Sequence, residues 1–207
     1  IVFQVVFGLN NIKVKADVMG QWSPDARVPG YLNDTFTPFL VADQNRTVHA
    51  FASQWISGGS RRLAVVYRKW TLSGGWTRPV DIILAPTGDA RILGAFLDPS
   101  DQMHIIFMTG EARETAVYYS SAPAANADLV TAWSIPVMVG ESALGVNSAA
   151  ITGDDQENLF IIYTGNRDGN GVYFVASSDA GASWSDPSPI FQTFDTTLIP
   201  FSLRLAM

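Results

Sequence analysis

The 207-residue chain contains no cysteine. Structural disulfides, thiolate chemistry and zinc–thiolate sites are therefore excluded. Export is not, because a domain with a large enough core needs no disulfide staple. Charge is scarce too: charged residues are 15% of the chain, 13 basic against 19 acidic, a net charge of −6. With no Lys/Arg run to face a phosphate backbone, nucleic acid is excluded as a partner. Long apolar runs are also missing. The stretch Ile1 to Leu9 is too short to span a bilayer and has no basic segment before it. Serine-triad, P-loop and dinucleotide-binding motifs do not occur, and no cofactor and no metal is expected.

What is abundant is apolar and aromatic surface. Hydrophobic residues make up 47% of the chain, with six tryptophans, a dense globular composition. The tryptophans repeat. Trp22-Ser23, Trp76-Thr77, Trp133-Ser134 and Trp184-Ser185 are each followed by a proline, at Pro24, Pro79, Pro136 and Pro187. A second register agrees with the first. Asp43, Asp98 and Asp154 each open a polar turn that leads into an apolar strand: Val48 to Phe51, Met103 to Phe107 and Leu159 to Tyr163. Both registers share a period of about 50 residues, the mark of a repeat architecture.

Within each period the pattern predicts four short strands and no helix. In the second repeat these are Phe39 to Ala42, Val48 to Ala52, Leu63 to Trp70 and Trp76 to Ile83. Four-stranded units at this spacing predict an all-β fold, a β-propeller of four-stranded antiparallel blades. The blade-equivalents cover residues 1–24 together with 197–207, then 35–84, 91–139 and 147–191. In the first of these, Ile1 to Phe7 reads as a second strand and Ile12 to Met19 as a third. Leu198 to Met207 reads as the missing first strand. The chain is accordingly expected to be a piece of a longer propeller, or a four-bladed ring closed by pairing its termini. The absent initiator methionine favours a processed chain or a fragment.

One octet stands out, Ser177-Ser178-Asp179-Ala180-Gly181-Ala182-Ser183-Trp184. Polar Ser177, Asp179 and Ser183 suit a tight turn. Gly181 suits a positive φ, and Trp184 offers a ring to bury beneath the turn. The octet resembles the Asp-box (BNR repeat) of sialidase-like β-propellers. The second repeat keeps Ser73-Gly74-Gly75-Trp76 without the aspartate, and the first keeps Asp17, Gly20 and Trp22 at altered spacing. The third, Ala122 to Trp133, has lost the box. The resemblance implies a larger, six-bladed ring. It also implies a peripheral, structural role for Ser177, Asp179, Gly181, Ser183 and Trp184, in the turn between a blade's third and fourth strands.

Sialidases of that family place their chemistry on the opposite face, with three arginines on a carboxylate, a Tyr/Glu nucleophilic pair and an acid/base Asp. The corresponding loops offer Tyr31, Asp34, Trp55, Arg61, Arg62, Arg91, Arg113 and Arg167 as ligand-binding candidates. Arg91 is the foremost, because it sits at the start of an inner strand. Glu141, Asn166 and Asp168 lie on the same set of loops. The family's Arg-Ile-Pro motif is absent, and no tyrosine can be paired with a glutamate. Tyr67, Tyr118, Tyr119 and Tyr163 sit in apolar strands and read as packing residues, so catalytic residues stay unknown.

His49 and His104 hold matching places in their repeats. That favours a shared packing role over a metal or catalytic dyad. The acidic turns Asp98 to Asp101 and Asp154 to Asn158 read as solvated hairpins ahead of calcium loops, since neither has an EF-hand spacing. Asn33-Asp34-Thr35 and Asn45-Arg46-Thr47 fit the glycosylation pattern. The functional expectation is a secreted or surface propeller that binds a glycan. The alternatives are a sialidase-type exo-glycosidase, or a structural, protein-interaction propeller. The partners expected are a carbohydrate and, for a fragment, the remainder of a larger propeller.

Overall fold

The computed structural model describes residues 2–8, 11–18, 21–22, 26–30, 35–56, 62–86, 88–111, 114–142, 145–195, 198 and 200–206. These form four antiparallel sheets, each built from strands contiguous in the chain. The first sheet holds β1 (Val2–Gly8) and β2 (Asn11–Val18), with β3 (Gln21–Trp22) and β4 (Ala26–Arg27) both on the edge of β2. The second holds β5 (Thr35–Ala42), β6 (Val48–Ile56) and β7 (Arg62–Thr71), with β8 (Gly75–Trp76) and β9 (Val80–Leu84) on its outer edge. The third runs β10 (Asp89–Leu97), β11 (Gln102–Glu111), β12 (Glu114–Pro123) and β13 (Val137–Ser142). The fourth runs β14 (Ala149–Gly153), β15 (Leu159–Gly165), β16 (Asn170–Ser177) and β17 (Ser188–Thr193).

Two differences from the sequence reading have simple causes. The continuous fourth strand expected over Trp76 to Ile83 is split into β8 and β9, with Pro79 in the gap. Proline has no N–H to give to a ladder, and the strand lapses over residues 77–79, which end on it. The strand expected over Leu198 to Met207 is not there among its described residues. That segment lies instead beside the inner strands. Leu203 N–H donates to Ser148 Oγ at 2.9 Å, and Phe201 borders a hollow with Phe39, Leu93 and Ala149.

The second strand β11 is apolar on both faces because the third sheet is packed between the second and the fourth. Ile105 and Phe107 of β11 enter a core shared with Phe51, Val65 and Tyr67 of the second sheet. Ile106 enters a different core, shared with Ile151, Ile161 and Tyr163 of the fourth. One strand thus feeds two interfaces. The tryptophans sit at the same interfaces: Trp133 meets Phe51 edge-on at 6.1 Å, and Trp184 meets Tyr119 edge-on at 5.0 Å.

The aspartate register explains the hairpins. Asp43, Asp98 and Asp154 each donate their N–H to the carbonyl four residues on, at 3.0 Å. In each turn Oδ1 accepts the N–H of that same residue, at 2.7 to 2.9 Å. The residue three after each aspartate, Arg46, Asp101 or Glu157, is left-handed, with φ of 64°, 59° and 64°. Three unrelated side chains in one unfavourable conformation show that the turn geometry, held by the aspartate, overrides residue preference.

The same aspartates reach the buried histidines. His49 Nδ1 lies 2.8 Å from Tyr67 Oη, and its Nε2 lies 3.4 Å from Asp43 Oδ2. His104 repeats this with Tyr119 at 2.7 Å and Asp98 at 3.2 Å. Burial lowers the pKa of both rings, outweighing the carboxylates that would raise it. In the fourth sheet Phe160 and Phe174 stand in the histidine and tyrosine places and stack at 6.2 Å. Asn158 Nδ2 there takes the free oxygen of Asp154, at 2.6 Å. The polar network and the aromatic pair are alternative fillings of one slot.

Candidate functional site

The strand ends define a face. β11 ends and β12 begins there, as do β15 and β16, while β13 and β17 end on it. Between the third and fourth sheets this face holds an open cleft of about 530 Å³. Thr109, Ala116 and Tyr118 form one wall, Glu141 and Ser142 a second, and Asn166 and Arg167 the far side.

Short contacts hold these residues in place. Ser142 Oγ donates to Asn166 Oδ1 at 3.1 Å, tying the last residue of β13 to the next sheet's loop. Thr115 Oγ1 accepts the N–H of Val146 at 2.7 Å. The loop that carries Arg167 is shaped from below by Tyr173. The Tyr173 hydroxyl accepts the N–H of Asp168 at 2.8 Å and donates to the carbonyl of Gly169 at 2.7 Å. The result is a loop tied to Tyr173, with the exposed Arg167 at its tip. Across the cleft, Glu141 is exposed and Tyr118 half-buried, its ring stacked on Phe107 at 5.8 Å. Such a surface offers donors from Arg167 and Asn166, a carboxylate acceptor, and an aromatic ring.

Of the residues singled out in sequence, Arg167 lines this cleft. Arg91 lies at the start of β10, half-exposed, with Nη2 3.2 Å from Asp89 Oδ2. Arg62 is engaged with backbone: its Nη1 donates to the carbonyls of Ala85 and Pro86, at 3.2 and 3.1 Å. Trp55 is half-buried on β6, opposite Leu63. Tyr31, Asp34, Arg61 and Arg113 lie outside the described residues, as does Asn33 of the first glycosylation pattern. Among the described residues, no group of three or more His, Cys, Asp or Glu side chains is placed to hold a metal ion.

The octet forms the turn between β16 and β17, its residues tied to one another. Asp179 Oδ1 accepts from Ser183 N–H at 2.8 Å and from Ser177 Oγ at 2.7 Å, and Oδ2 accepts from Ser183 Oγ at 2.5 Å. These bonds, the Ser183 hydroxyl first, hold its carboxyl down at about 2. Ser177 Oγ also accepts the N–H of Gly181 at 2.9 Å. Gly181 is buried with φ +89°, and a Cβ there would lie 2.3 Å from the Tyr119 hydroxyl. That hydroxyl, 2.7 Å from His104 and 3.1 Å from the Ala180 carbonyl, joins the third sheet's histidine to the fourth sheet's turn.

Sequence reading passed over Tyr163, placed in the core by its apolar strand. Its side chain is fully buried, and its hydroxyl has no hydrogen-bond partner. Burial pushes that phenol up to about 12. A signal for it was present. Nine residues after the turn aspartate, the sister strands carry Ala52 and Phe107, and only Tyr163 brings a hydroxyl to that place.

No protein-family model and no curated protein matches the chain. Solved structures do. A Hadza microbial sialidase superposes with a TM-score of 0.63 at 12% identity, over 85% of this chain and 40% of its own. An endo-arabinase from Bacteroides thetaiotaomicron gives 0.60 at 13% identity, over 93% and 76%. A polysaccharide lyase of a new family, an ulvan lyase, gives 0.59 at 15% identity, over 87% and 49%. The fold is therefore all-β and propeller-like, of the sialidase and arabinase kind. The chain spans less than half the length of the sialidase and the lyase. Among the described residues, no helix is long and apolar enough to cross a membrane.

Proposed function

We propose that this chain is a sialidase-like, Asp-box propeller domain that recognises carbohydrate through the cleft between its third and fourth sheets. The observation that carries this reading is the cleft itself. It is an open groove on the loop face, with Arg167, Asn166 and Glu141 arranged around Tyr118, in a fold shared with proteins named as a sialidase, an arabinase and an ulvan lyase. Sugars are bound by such mixtures, because each hydroxyl both donates and accepts while the ring's C–H face rests on an aromatic.

Binding is favoured over sialidase-type hydrolysis for two reasons. Arg91 and Arg62 have partners of their own, leaving Arg167 as the arginine at the cleft among the described residues. Tyr163, which lines the neighbouring hollow with Glu141 and Arg167, has no hydrogen bond to a carboxylate, and burial keeps it protonated. The reading extends to an extracellular or cell-surface location and to a ring of more than four blades. In such a ring a further blade would cover the exposed Ile190, Phe191 and Phe194 of the fourth sheet's outer edge. The test is a glycan array probed with the chain, beside a fluorogenic sialic-acid substrate. Array binding without turnover is expected. Turnover of the sialoside would replace the binder with the exo-glycosidase.

A further inference from the structure

At the end opposite the cleft, the seam between the third and fourth sheets carries a chain of four polar groups. Asp98 Oδ2 lies 3.2 Å from His104 Nε2, and His104 Nδ1 lies 2.7 Å from the Tyr119 hydroxyl. That hydroxyl lies 3.1 Å from the Ala180 carbonyl. His104 and Tyr119 are both buried. The first three groups belong to the third sheet and its hairpin, and Ala180 to the octet, so the last contact is the one that crosses the seam.

These contacts outnumber the protons available to a neutral histidine. A carboxylate and a carbonyl only accept, a phenol gives one proton, and a neutral imidazole gives one from either nitrogen. Three contacts then share two protons. Asp98 Oδ2 takes the Nε2 proton, because a bare nitrogen there would set its lone pair against the carboxylate. Nδ1 is left bare and takes the Tyr119 proton. The Ala180 carbonyl is left facing the phenol oxygen with no proton between them. A charged His104 donates from both nitrogens, which releases the Tyr119 proton to Ala180 and fills all three contacts. Ala180 is placed to respond. It is left-handed, with φ of 55°, a conformation disfavoured by its Cβ, and its N–H donates to the Glu157 carbonyl at 3.1 Å.

Few other groups bear on the chain. Among the described residues Asp98 is the charge that acts on His104, and Phe96 of β10 stacks on the ring at 5.9 Å. Asp179 of the octet acts on Tyr119, and the Ser121 hydroxyl donates to the phenol oxygen, so it does not compete for the phenol proton. We propose that His104 is a proton-driven latch on this seam: neutral, it holds the Tyr119 proton and leaves the octet unlatched; protonated, it hands that proton to Ala180 and ties the fourth sheet to the third. Burial keeps the ring's pKa below 6.5 against the pull of Asp98, so the latch closes in mild acid. The buried charge keeps its cost, so the octet tightens locally while overall stability falls.

The test is an NMR titration of ¹³C,¹⁵N-labelled protein from neutral pH downward, following the His104 ring and the Ala180 carbonyl. His49→Gln separates the two histidines. The latch predicts that neutral His104 carries its proton on Nε2, and that the Ala180 carbonyl signal moves with the midpoint of the His104 ring. Amide exchange at Ala180 and Gly181, corrected for its intrinsic pH dependence, should slow about three- to tenfold across that midpoint, the worth of one hydrogen bond. In Tyr119→Phe the ring should still titrate while the Ala180 carbonyl stays flat. The parent titration decides by itself if that variant does not fold. A neutral His104 protonated on Nδ1, an Ala180 signal indifferent to the His104 midpoint, or a ring that stays neutral until the chain unfolds would each overturn the latch.

Discussion

Replacing Gly181 with alanine separates two costs that usually come together, because Gly75 provides a matched control. Both glycines have positive φ, +89° and +65°. A Cβ at Gly75 would meet nothing within 4 Å, whereas at Gly181 it would lie 2.3 to 2.5 Å from three atoms of Tyr119. For Gly75→Ala the cost is the left-handed backbone, about 1–2 kcal/mol, less the entropy that alanine removes from the unfolded chain, leaving about 1 kcal/mol. For Gly181→Ala the same term stands, and overpacking adds about 1–3 kcal/mol. Moving the Tyr119 ring also disturbs its contacts with His104 and Ala180, worth about 1 kcal/mol. The total is about 3–5 kcal/mol. At about 2–4 °C per kcal/mol for a chain of this size, Gly75→Ala should lower the melting temperature by about 2–4 °C and Gly181→Ala by about 6–20 °C. Thermal melts followed by circular dichroism read both. Equal losses in the two variants would refute the reasoning, since the octet would then not be docked on Tyr119.

Arg46→Gly relieves a left-handed, solvent-exposed residue and should raise stability by about 0.5 kcal/mol, the backbone gain exceeding the added unfolded-state entropy; urea titration checks the sign. Burial lowers the pKa of His49 and His104 from 6.5. Below 6.5 the unfolded state therefore binds more protons than the folded one, so stability should drop as the pH is lowered, until the buried rings themselves protonate. The double variant His49→Gln/His104→Gln should be less stable overall but should lose that limb of the pH profile; an unchanged profile would assign the limb to other groups. Asp179, held at about 2, contributes fully above its ordinary 3.8 and loses its contribution as pH falls through 2, so Asp179→Asn should flatten the profile only in that acid window.

The blade pattern was legible because it is local. A hairpin closed by its own aspartate, and a second strand apolar on both faces, leave a periodic trace in the sequence. Asp43, Asp98 and Asp154 together with Trp76 therefore placed the first three strands of the second sheet, and the second strands of the third and fourth, to within a few residues. The break at Pro79 was readable in the same terms and was missed, because the aromatic–apolar pattern runs on through it. The site was less legible for a physical reason: it lies between sheets. Glu141 and Arg167 are 26 residues apart in sequence and meet only when β13 of one sheet lies against the fourth sheet's loop. Arg91 looked the better arginine because its place at an inner strand could be inferred from the repeat. Its pairing with Asp89, two residues away, was in view and underweighted. Tyr163 was assigned to the core correctly as to burial, but burial alone does not say whether a hydroxyl finds a partner.

Calorimetric titration of the glycan selected on the array, into Arg167→Ala and Arg91→Ala proteins, tests the central claim most directly. A charge-assisted hydrogen bond is worth about 1.5–3 kcal/mol, so Arg167→Ala should weaken binding by about tenfold or more while Arg91→Ala binds as the parent does. Binding that survives Arg167→Ala and is lost in Arg91→Ala would contradict the account, moving the site from the seam between the third and fourth sheets to the inner strand β10.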